Sequence, residues 1–265
     1  MKKIRLGKQG LAFLVVGFAT YLYFLVTNIP AATVYALLEK QMGTNGMFVL
    51  QGLSGTIWSG QASQARISQL NVGSLDWRLR PFALLTGTLG LDIATSGNNS
   101  RMQASIETGL SGRTLSIDKL QGKLPVQSLM PFFYGLPIAV DGQINTELVH
   151  AELEPGEKLI LDGKLVWQNA ALTAPQALKF GDLFFALRPD KNGSKILLSD
   201  QGGPLAAEGT AMIKASGEYK LNIYLAARDK NDANLSNALK LLGRVNSQGK
   251  VLISRTGRLQ GWAKK

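Results

Sequence analysis

The chain is 265 residues long, with 29 basic and 18 acidic residues and a net charge of +11. It has no cysteine and one histidine, His150, which excludes disulfides, thiolate metal sites, cysteine nucleophiles and multi-histidine metal sites. The positive excess comes from residues 1–8 and 234–265, which hold four and seven basic residues and no acid. Such a basic end suits an acidic surface, such as anionic headgroups or an acidic partner, or is a solvated tail.

The first element in the chain is an uncharged apolar run at residues 10–29. A helix of that length rises about 30 Å, which matches the hydrocarbon core of a bilayer. Lys2, Lys3, Arg5 and Lys8 precede the run, and basic flanks stay on the cytoplasmic side. The sequence therefore predicts a cytoplasmic basic tail at residues 1–9, a single transmembrane anchor at residues 10–29, and a periplasmic location for the rest.

A cleaved signal peptide would also have a basic start and an apolar middle. The run is longer than the usual apolar region of roughly 7–15 residues, and residues 27–32 are a poor small-x-small cleavage site. We therefore expect an uncleaved anchor.

A juxtamembrane helix or linker is predicted at residues 30–46. Asn28 and Pro30 are expected to cap and start this helix, because proline suits a first helical turn. Gly43 is expected to end it, as a residue typical of helix C-caps.

From residue 47 onward the hydrophobic pattern has a period of two, which is typical of strands with one buried and one wet face. Glycine-, proline- and asparagine-rich turns separate the segments, at residues 97–99, 154–156, 190–193 and 202–204. The fold class predicted is mainly β: one antiparallel, curved sheet of about a dozen strands at residues 47–265, with a few short helices. The alternating positions are Leu75, Trp77, Leu79, Leu89, Leu91, Ile93, Met102, Ala104, Ile106, Ile144, Thr146, Leu148, Leu159, Leu161, Gly163, Leu165, Trp167, Tyr219, Leu221, Ile223 and Leu225.

Three short helices are predicted within this β region, at residues 81–85, 126–133 and 232–242. The third has an Asp or Asn as its N-cap, Leu235, Leu239 and Leu242 on one face, and Gly243 at its end.

A weak internal repeat of the form apolar-x-Gly-x-apolar supports the prediction of a mainly β fold. Its glycines are Gly122, Gly142 and Gly163, and a similar pattern occurs around Gly249 later in the chain. The spacing is that of one hairpin, so we expect a repeated strand pair with glycine at a bend.

No catalytic constellation is found in the sequence. His150 lies in a strand-like stretch, and the Gly52–Gly55 segment lacks the spacing and partner histidine of a nucleophile elbow. No phosphate-binding loop or dinucleotide fingerprint is present. The sequence predicts no enzyme, no cofactor and no metal site.

The most distinctive stretch holds a Gly-Thr-x-Trp-Ser-Gly block and a later Trp-x-Leu-x-Pro with Leu-Leu-x-Gly. Trp58 and Trp77 are interpreted as packing anchors rather than binding-site aromatics. The motif residues, which we expect to be structural, are Gly55, Trp58, Gly60, Trp77, Leu79, Pro81, Leu85 and Gly87.

At these residues the chain resembles protein N of the general (type II) secretion pathway, whose members share the basic start, the anchor and both blocks. The resemblance implies a single-pass component of the bacterial inner membrane, with its N-terminus in the cytoplasm. Its implied role is non-enzymatic help in exporting folded periplasmic proteins across the outer membrane. The implied partners are other type II secretion subunits and the inner membrane. Nucleic acid is not expected, because the domain would lie across a membrane from it.

The Trp-x-Leu-x-Pro block also looks like motifs of AsmA-type periplasmic β-groove proteins, which are linked to lipid homeostasis. This second likeness implies a lipid ligand and supplies an alternative function, a groove that binds or shuttles lipids. Strands with one apolar face can form such a groove, and the same pattern also lines an ordinary closed core.

Overall fold

The computed structural model describes residues 8–42, 48–67, 70–132, 139–174, 176–243 and 245–259. Several predicted features lie outside these residues: residues 1–7 of the basic tail, Gly43 as a helix end, Phe133, and the basic residues Arg244, Lys264 and Lys265.

The N-terminal part of the chain forms two helices, α1 (Lys8–Thr27) and α2 (Ala31–Met42). Helix α1 covers most of the predicted anchor but ends at Thr27 rather than at residue 29. Within the described side chains, no helix is both long and apolar enough to cross a membrane. The transmembrane role of α1 therefore stays a prediction.

The predicted capping role of Asn28 is wrong. Its side-chain amide donates to the carbonyl of Phe24 at 2.8 Å, so it binds the end of α1 instead of the start of α2. The last carbonyls of a helix have no partner within the helix, and an asparagine just beyond them reaches them easily. Pro30 does directly precede the first residue of α2.

The remainder of the described chain is dominated by one sheet of thirteen antiparallel strands, in which the order of the strands is their order in the chain. The predicted antiparallel meander of about a dozen strands is confirmed. The strands are β1 (Phe48–Gly55), β2 (Ser59–Ile67), β3 (Leu70–Arg80), β4 (Thr88–Ser96), β5 (Arg101–Gly109), β6 (Leu115–Pro125), β7 (Ala139–Glu154), β8 (Lys158–Ala174), β9 (Leu178–Asp190), β10 (Gly193–Asp200), β11 (Leu205–Lys214), β12 (Glu218–Ala227) and β13 (Val251–Arg258).

The sheet has one apolar and one polar face, as the period of two predicts. In β3, Trp77 lies opposite Ile93 of β4, and Ile93 lies opposite Ala104 of β5. Their neighbours Asp76 and Arg78 therefore point to the other side of the sheet. The register carries this division from strand to strand along the meander.

Three short helices occur where the sequence predicts them: two 3-10 helices, η1 (Pro81–Thr86) and η2 (Val126–Phe132), and helix α3 (Ala233–Leu242). The backbone N–H of Leu235 donates to the Asp232 carboxylate at 3.0 Å, so of the predicted Asp or Asn the N-cap is Asp232. Leu235 and Leu239 are buried against the sheet, at 1% and 5% exposure. The side chain of Leu242 lies outside the described set.

Among the residues that the structure describes, two hydrophobic clusters lie on the apolar face, and each lies under a helix. One lies beneath η2 and joins Val126 to Leu124 and Ile144. The other lies beneath α3; its buried members are Ala170, Leu178, Leu183, Leu205, Ala207, Leu235, Leu239 and Val251.

The repeated glycines lie within β6, β7 and β8, with positive φ angles of 151° at Gly122, 115° at Gly142 and 155° at Gly163. A Cβ at Gly122 would overlap the carbonyl of Arg101 on β5, so the close approach of two strands requires glycine there. Gly249 lies in the turn before β13 and not within a strand.

The two edge strands of the sheet differ in how they are covered. Helix α2 lies along β1, where the Tyr35 hydroxyl accepts from the N–H of Leu50 and donates to the carbonyl of Phe48, both at 3.2 Å. At β13, a bridge from Val245 to Val251 covers only the start of the strand among the described residues.

Candidate functional site

The predicted motif residues come together at one end of the sheet, which we call the motif end. In an antiparallel meander, the odd-numbered strands end, and the even-numbered strands start, at the same end of the sheet. The β1–β2 turn at residues 55–60 and the β3–η1–β4 connection at residues 77–88 are therefore neighbours.

The β1–β2 turn is a tight structure built on Thr56. The backbone N–H of Thr56 donates to the Ser59 carbonyl at 2.9 Å, and its hydroxyl accepts from the N–H of Trp58 at 3.2 Å. Gly55 enters the turn with φ of 87°, and a Cβ there would lie 2.6 Å from the Ser59 carbonyl oxygen. This motif glycine is therefore required by the backbone geometry.

Trp77 packs across the neighbouring strand onto Gly60, its direct partner in the β2–β3 register. A Cβ at Gly60 would overlap the six-membered ring of Trp77. The indole N–H of Trp77 donates to the carbonyl of Thr56 at 3.2 Å, so the ring also ties the turn to β3. The structure thus explains why glycine and tryptophan occur together in this motif.

Trp58 joins the turn to the end of α1. Its indole N–H donates to the carbonyl of Val26 at 2.8 Å, and the N–H of neighbouring Ile57 donates to the carbonyl of Ile29 at 3.1 Å. The carbonyl of Trp58 accepts from the N–H of Leu79 at 2.7 Å. One motif residue therefore connects the N-terminal helix to β3.

Arg80 is a residue of this end that the sequence did not single out. Its guanidinium lies 2.9 Å from the Glu107 carboxylate and 3.7 Å from that of Asp92. Asp92 also accepts from the Ser105 hydroxyl at 2.7 Å. No local pattern could identify this group, because its acids come from β4 and β5.

The η1 connection carries apolar side chains on its outside. Pro81 begins the helix and Gly87 ends it in the left-handed region, with φ of 76°. Between them Phe82 is 80% exposed, and the motif residue Leu85 is 84% exposed. From the β5–β6 turn, Leu110 is 69% exposed, and its N–H donates to the Gly87 carbonyl at 3.2 Å.

His150 lies on the polar face of β7, outside the β1–β4 segment that carries the motif residues. A hydrogen bond with the Asp118 carboxylate at 2.6 Å raises the pKa of His150 above its ordinary value; burial opposes this, and the charges of Asp118 and Glu152 reinforce it. Lys158 pairs with Glu152 at 2.7 Å. Among the described residues, no cluster of three or more His, Asp or Glu side chains could hold a metal ion.

A sequence profile described as type II secretion system (T2SS), protein N matches residues 48–254 of the chain. The chain belongs to this family. It is therefore a component of type II secretion, which implies that its partners are other secretion subunits.

Curated relatives agree over nearly the whole length. Type II secretion system protein N of Vibrio cholerae is 25% identical over 240 residues, which cover 88% of this chain and 92% of the relative. That of Klebsiella pneumoniae is 25% identical and covers 88% of this chain and 90% of the relative. That of Aeromonas hydrophila is 24% identical, covering 95% and 100%. No solved structure gives a significant match.

The matched range places every motif residue inside the family region and leaves α1 and α2 outside it. The contact between Trp58 and Val26 therefore joins the family domain to the helix that precedes it.

Proposed function

We propose that the chain is a non-enzymatic part of the type II secretion machine, held at the inner membrane with its sheet in the periplasm. In this role it contributes, through protein–protein contacts, to the export of folded proteins across the outer membrane. The observation that carries the proposal is the family match over residues 48–254. The sequence adds its support, because it has one histidine and no cysteine with which to build a catalytic site.

The side chains of α1 support the attachment to the membrane. From Phe13 to Val26 its large hydrophobic residues are 41–78% exposed, and no charged residue interrupts them. Such a surface is unfavourable in water, at about 25 cal/mol per Å² of apolar area. The basic residues before it, Lys2, Lys3, Arg5 and Lys8, favour a cytoplasmic N-terminus.

Strand β13 is the edge we propose for protein contacts, because α2 already occupies the other edge. The N–H of Leu259 donates to the Gly217 carbonyl at 2.9 Å, which fixes the alternation of hydrogen bonds between β12 and β13. By that alternation, the backbone groups of Ser254, Thr256 and Arg258 face outward. An extended segment of a partner can pair with them as an added strand.

The charge of β13 indicates the kind of segment that would fit. Arg255 and Arg258 are exposed. Within the described part of the chain, Arg258 has the Glu218 carboxylate at 4.0 Å, and no acid pairs with Arg255. A partner strand with acidic residues would complement this edge and would be steered toward it.

The Thr256→Pro variant tests this edge. Proline removes an outward-facing N–H and leaves the ladder to β12 intact, so the sheet should fold while strand addition is blocked. We expect this variant to reduce the secretion of type II substrates in the native host. We also expect it to reduce photocrosslinks to other subunits from a photoreactive residue placed at position 254. Thr256→Val keeps the N–H and serves as the control. Normal secretion by Thr256→Pro would reject the edge, and normal secretion after deletion of the whole gene would reject the proposed function.

A lipid-binding groove is the second candidate function, and the apolar face of the sheet favours it. Between the clusters under η2 and α3, and on toward β3, apolar side chains of this face are only half-buried. They include Leu91, Ile93, Ile106, Ile117, Leu161, Leu187, Ile196, Ile213, Leu221 and Ile223. Such a surface could hold acyl chains.

Lipid extraction of the purified full chain separates the two functions. A groove predicts co-purifying acyl chains and uptake of a fluorescent fatty acid, both reduced by Ile117→Glu on the apolar face. Gln121→Glu, on the polar face of the same strand, is the matched control. Absence of acyl chains and of uptake would exclude the groove.

A further inference from the structure

Three exposed apolar side chains at the motif end form what we call the apolar tip: Phe82, Leu85 and Leu110. Their exposures are 80%, 84% and 69%. The hydrogen bond from Leu110 N–H to the Gly87 carbonyl holds the β5–β6 turn beside the end of η1. Large exposed apolar groups gathered at one place mark an interaction surface more often than scattered ones do.

Hydrogen bonds connect the backbone segments that carry the tip. The Thr86 hydroxyl donates to the carbonyl of Ala83 at 2.8 Å, and that of Thr88 donates to the same carbonyl at 3.1 Å. In the β5–β6 turn, the Gly112 N–H donates to the Gly109 carbonyl at 2.8 Å. These bonds fix the backbone of the two turns from which the apolar side chains project.

The tip lies beside the point where α1 meets the sheet. Trp58 bonds the Val26 carbonyl of α1 on one side and the Leu79 N–H of β3 on the other. Phe82 follows Leu79 by three residues, a span of at most about 11 Å of extended chain. The polar headgroup region on each side of the hydrocarbon core is about 5–8 Å deep. A membrane that surrounds α1 therefore comes within reach of the tip.

The charged residues around the tip are also compatible with a membrane surface. Arg113 is exposed in the β5–β6 turn, three residues after Leu110. The carboxylate of Glu107, near the end of β5, is already paired with Arg80. Apolar side chains that enter a membrane surface beside a cation able to reach lipid phosphates are typical of interfacial contacts.

We propose that the apolar tip inserts into the periplasmic leaflet of the membrane that holds α1, as a second point of attachment. The occupant is lipid, and the contact fixes the orientation of the sheet above the bilayer. This inference rests on the proposed attachment of α1 to the membrane. It gives Leu85 a role in lipid contact beside the structural roles of Trp58 and Gly60.

Site-specific fluorescence of the full chain tests this proposal, and the lack of cysteine allows a unique label at each position. The chain is reconstituted into vesicles of phosphatidylethanolamine and phosphatidylglycerol, with an environment-sensitive dye on Leu85→Cys, Leu110→Cys, Phe18→Cys or Leu197→Cys. Phe18 reports on α1, and Leu197, 37% exposed on the polar face of β10, is the water-exposed control.

We expect blue-shifted emission at positions 85 and 110, with stronger quenching by a shallow lipid-borne quencher than by a deep one. The label at position 18 should show the reverse order, and the label at position 197 should be quenched by neither. Quenching at 18 without quenching at 85 and 110 overturns the tip proposal and leaves the membrane attachment standing. Absence of quenching at all four positions overturns both.

A second variant separates lipid contact from folding. Phe82→Asp combined with Leu85→Asp should leave the melting temperature unchanged, because both side chains are exposed, and should abolish the blue shift at position 110. The matched control is Leu197→Asp, which should retain the shift. A retained shift in the double variant would show that Phe82 and Leu85 do not make the lipid contact and would reject the proposal. A blue shift at position 85 that requires another secretion subunit and is not quenched by either lipid-borne quencher would assign the tip to a protein partner and reject lipid.

Discussion

At the scale of single residues, the β1–β2 turn depends on the absence of a side chain at Gly60. Gly60→Ala places a methyl group against the Trp77 ring and the Ser54 carbonyl. We expect a loss of about 1–3 kcal/mol in the free energy of unfolding, as for other overpacked sites. Thermal denaturation of the full chain in detergent measures it.

The matched control for this prediction is Gly17→Ala in α1, where a Cβ meets no atom within 4 Å. That variant should have the same melting temperature as the wild type. Equal melting temperatures for the two variants would show that Trp77 moves aside at no cost.

His150 gives the molecule a pH-dependent contact. Its pKa is raised in the folded state by its hydrogen bond with Asp118, so its stabilising contribution is present below about pH 6.5 and is lost as the pH rises through the folded pKa. The group is partly exposed, so we expect less than about 1 kcal/mol. His150→Gln should therefore destabilise the chain more at acidic than at alkaline pH.

An NMR titration of this single histidine checks the cause. Its pKa should lie above 6.5 in the wild type and return toward 6.5 in Asp118→Asn. The same pKa in both proteins would contradict the assigned contact.

At the scale of elements, α3 secures the C-terminal half of the sheet. Leu235→Ala removes a side chain that is 1% exposed and packs in the larger hydrophobic cluster. We expect a loss of about 2–5 kcal/mol in the free energy of unfolding. Leu110→Ala, at 69% exposure, is the control and should change it by less than about 0.5 kcal/mol. Similar losses from both changes would refute the packing role of α3.

The elements themselves were largely predictable from the sequence, because they are set by local signals. A period of two along β3 and β12 predicts strands, Pro81 predicts a helical turn, and Asp232 predicts an N-cap. The Asn28 prediction failed because two helix ends compete for one side chain, and sequence alone does not show which end is nearer.

The arrangement of the motif end was not predictable from local signals. The bond between Trp58 and Val26 and the ion pairs of Arg80 join segments far apart in the chain. Their partners follow from the register of strands and from where α1 ends. The exposure of Leu85, which governs its proposed role, likewise depends on which elements pack over η1.

At the scale of the whole molecule, each strand of the sheet pairs only with its neighbours in the chain. Stability should then be spread along the sheet as a series of local units. Removal of residues 251–265 should abolish slow amide exchange in β11 and β12 and leave it unchanged in β3 to β6. Hydrogen exchange followed by mass spectrometry measures this, and a uniform loss of protection would show that the sheet unfolds as one unit.

The same strand order has a consequence for how the protein is made. Under the proposed topology, with the N-terminus in the cytoplasm, the strands would enter the periplasm in chain order, β1 first. Each arriving strand finds the neighbour it needs already in place, so pairing can keep pace with translocation. Assembly would then advance from β1 toward β13. At any moment only the unpaired edge of the most recently formed strand would need to be protected by periplasmic chaperones.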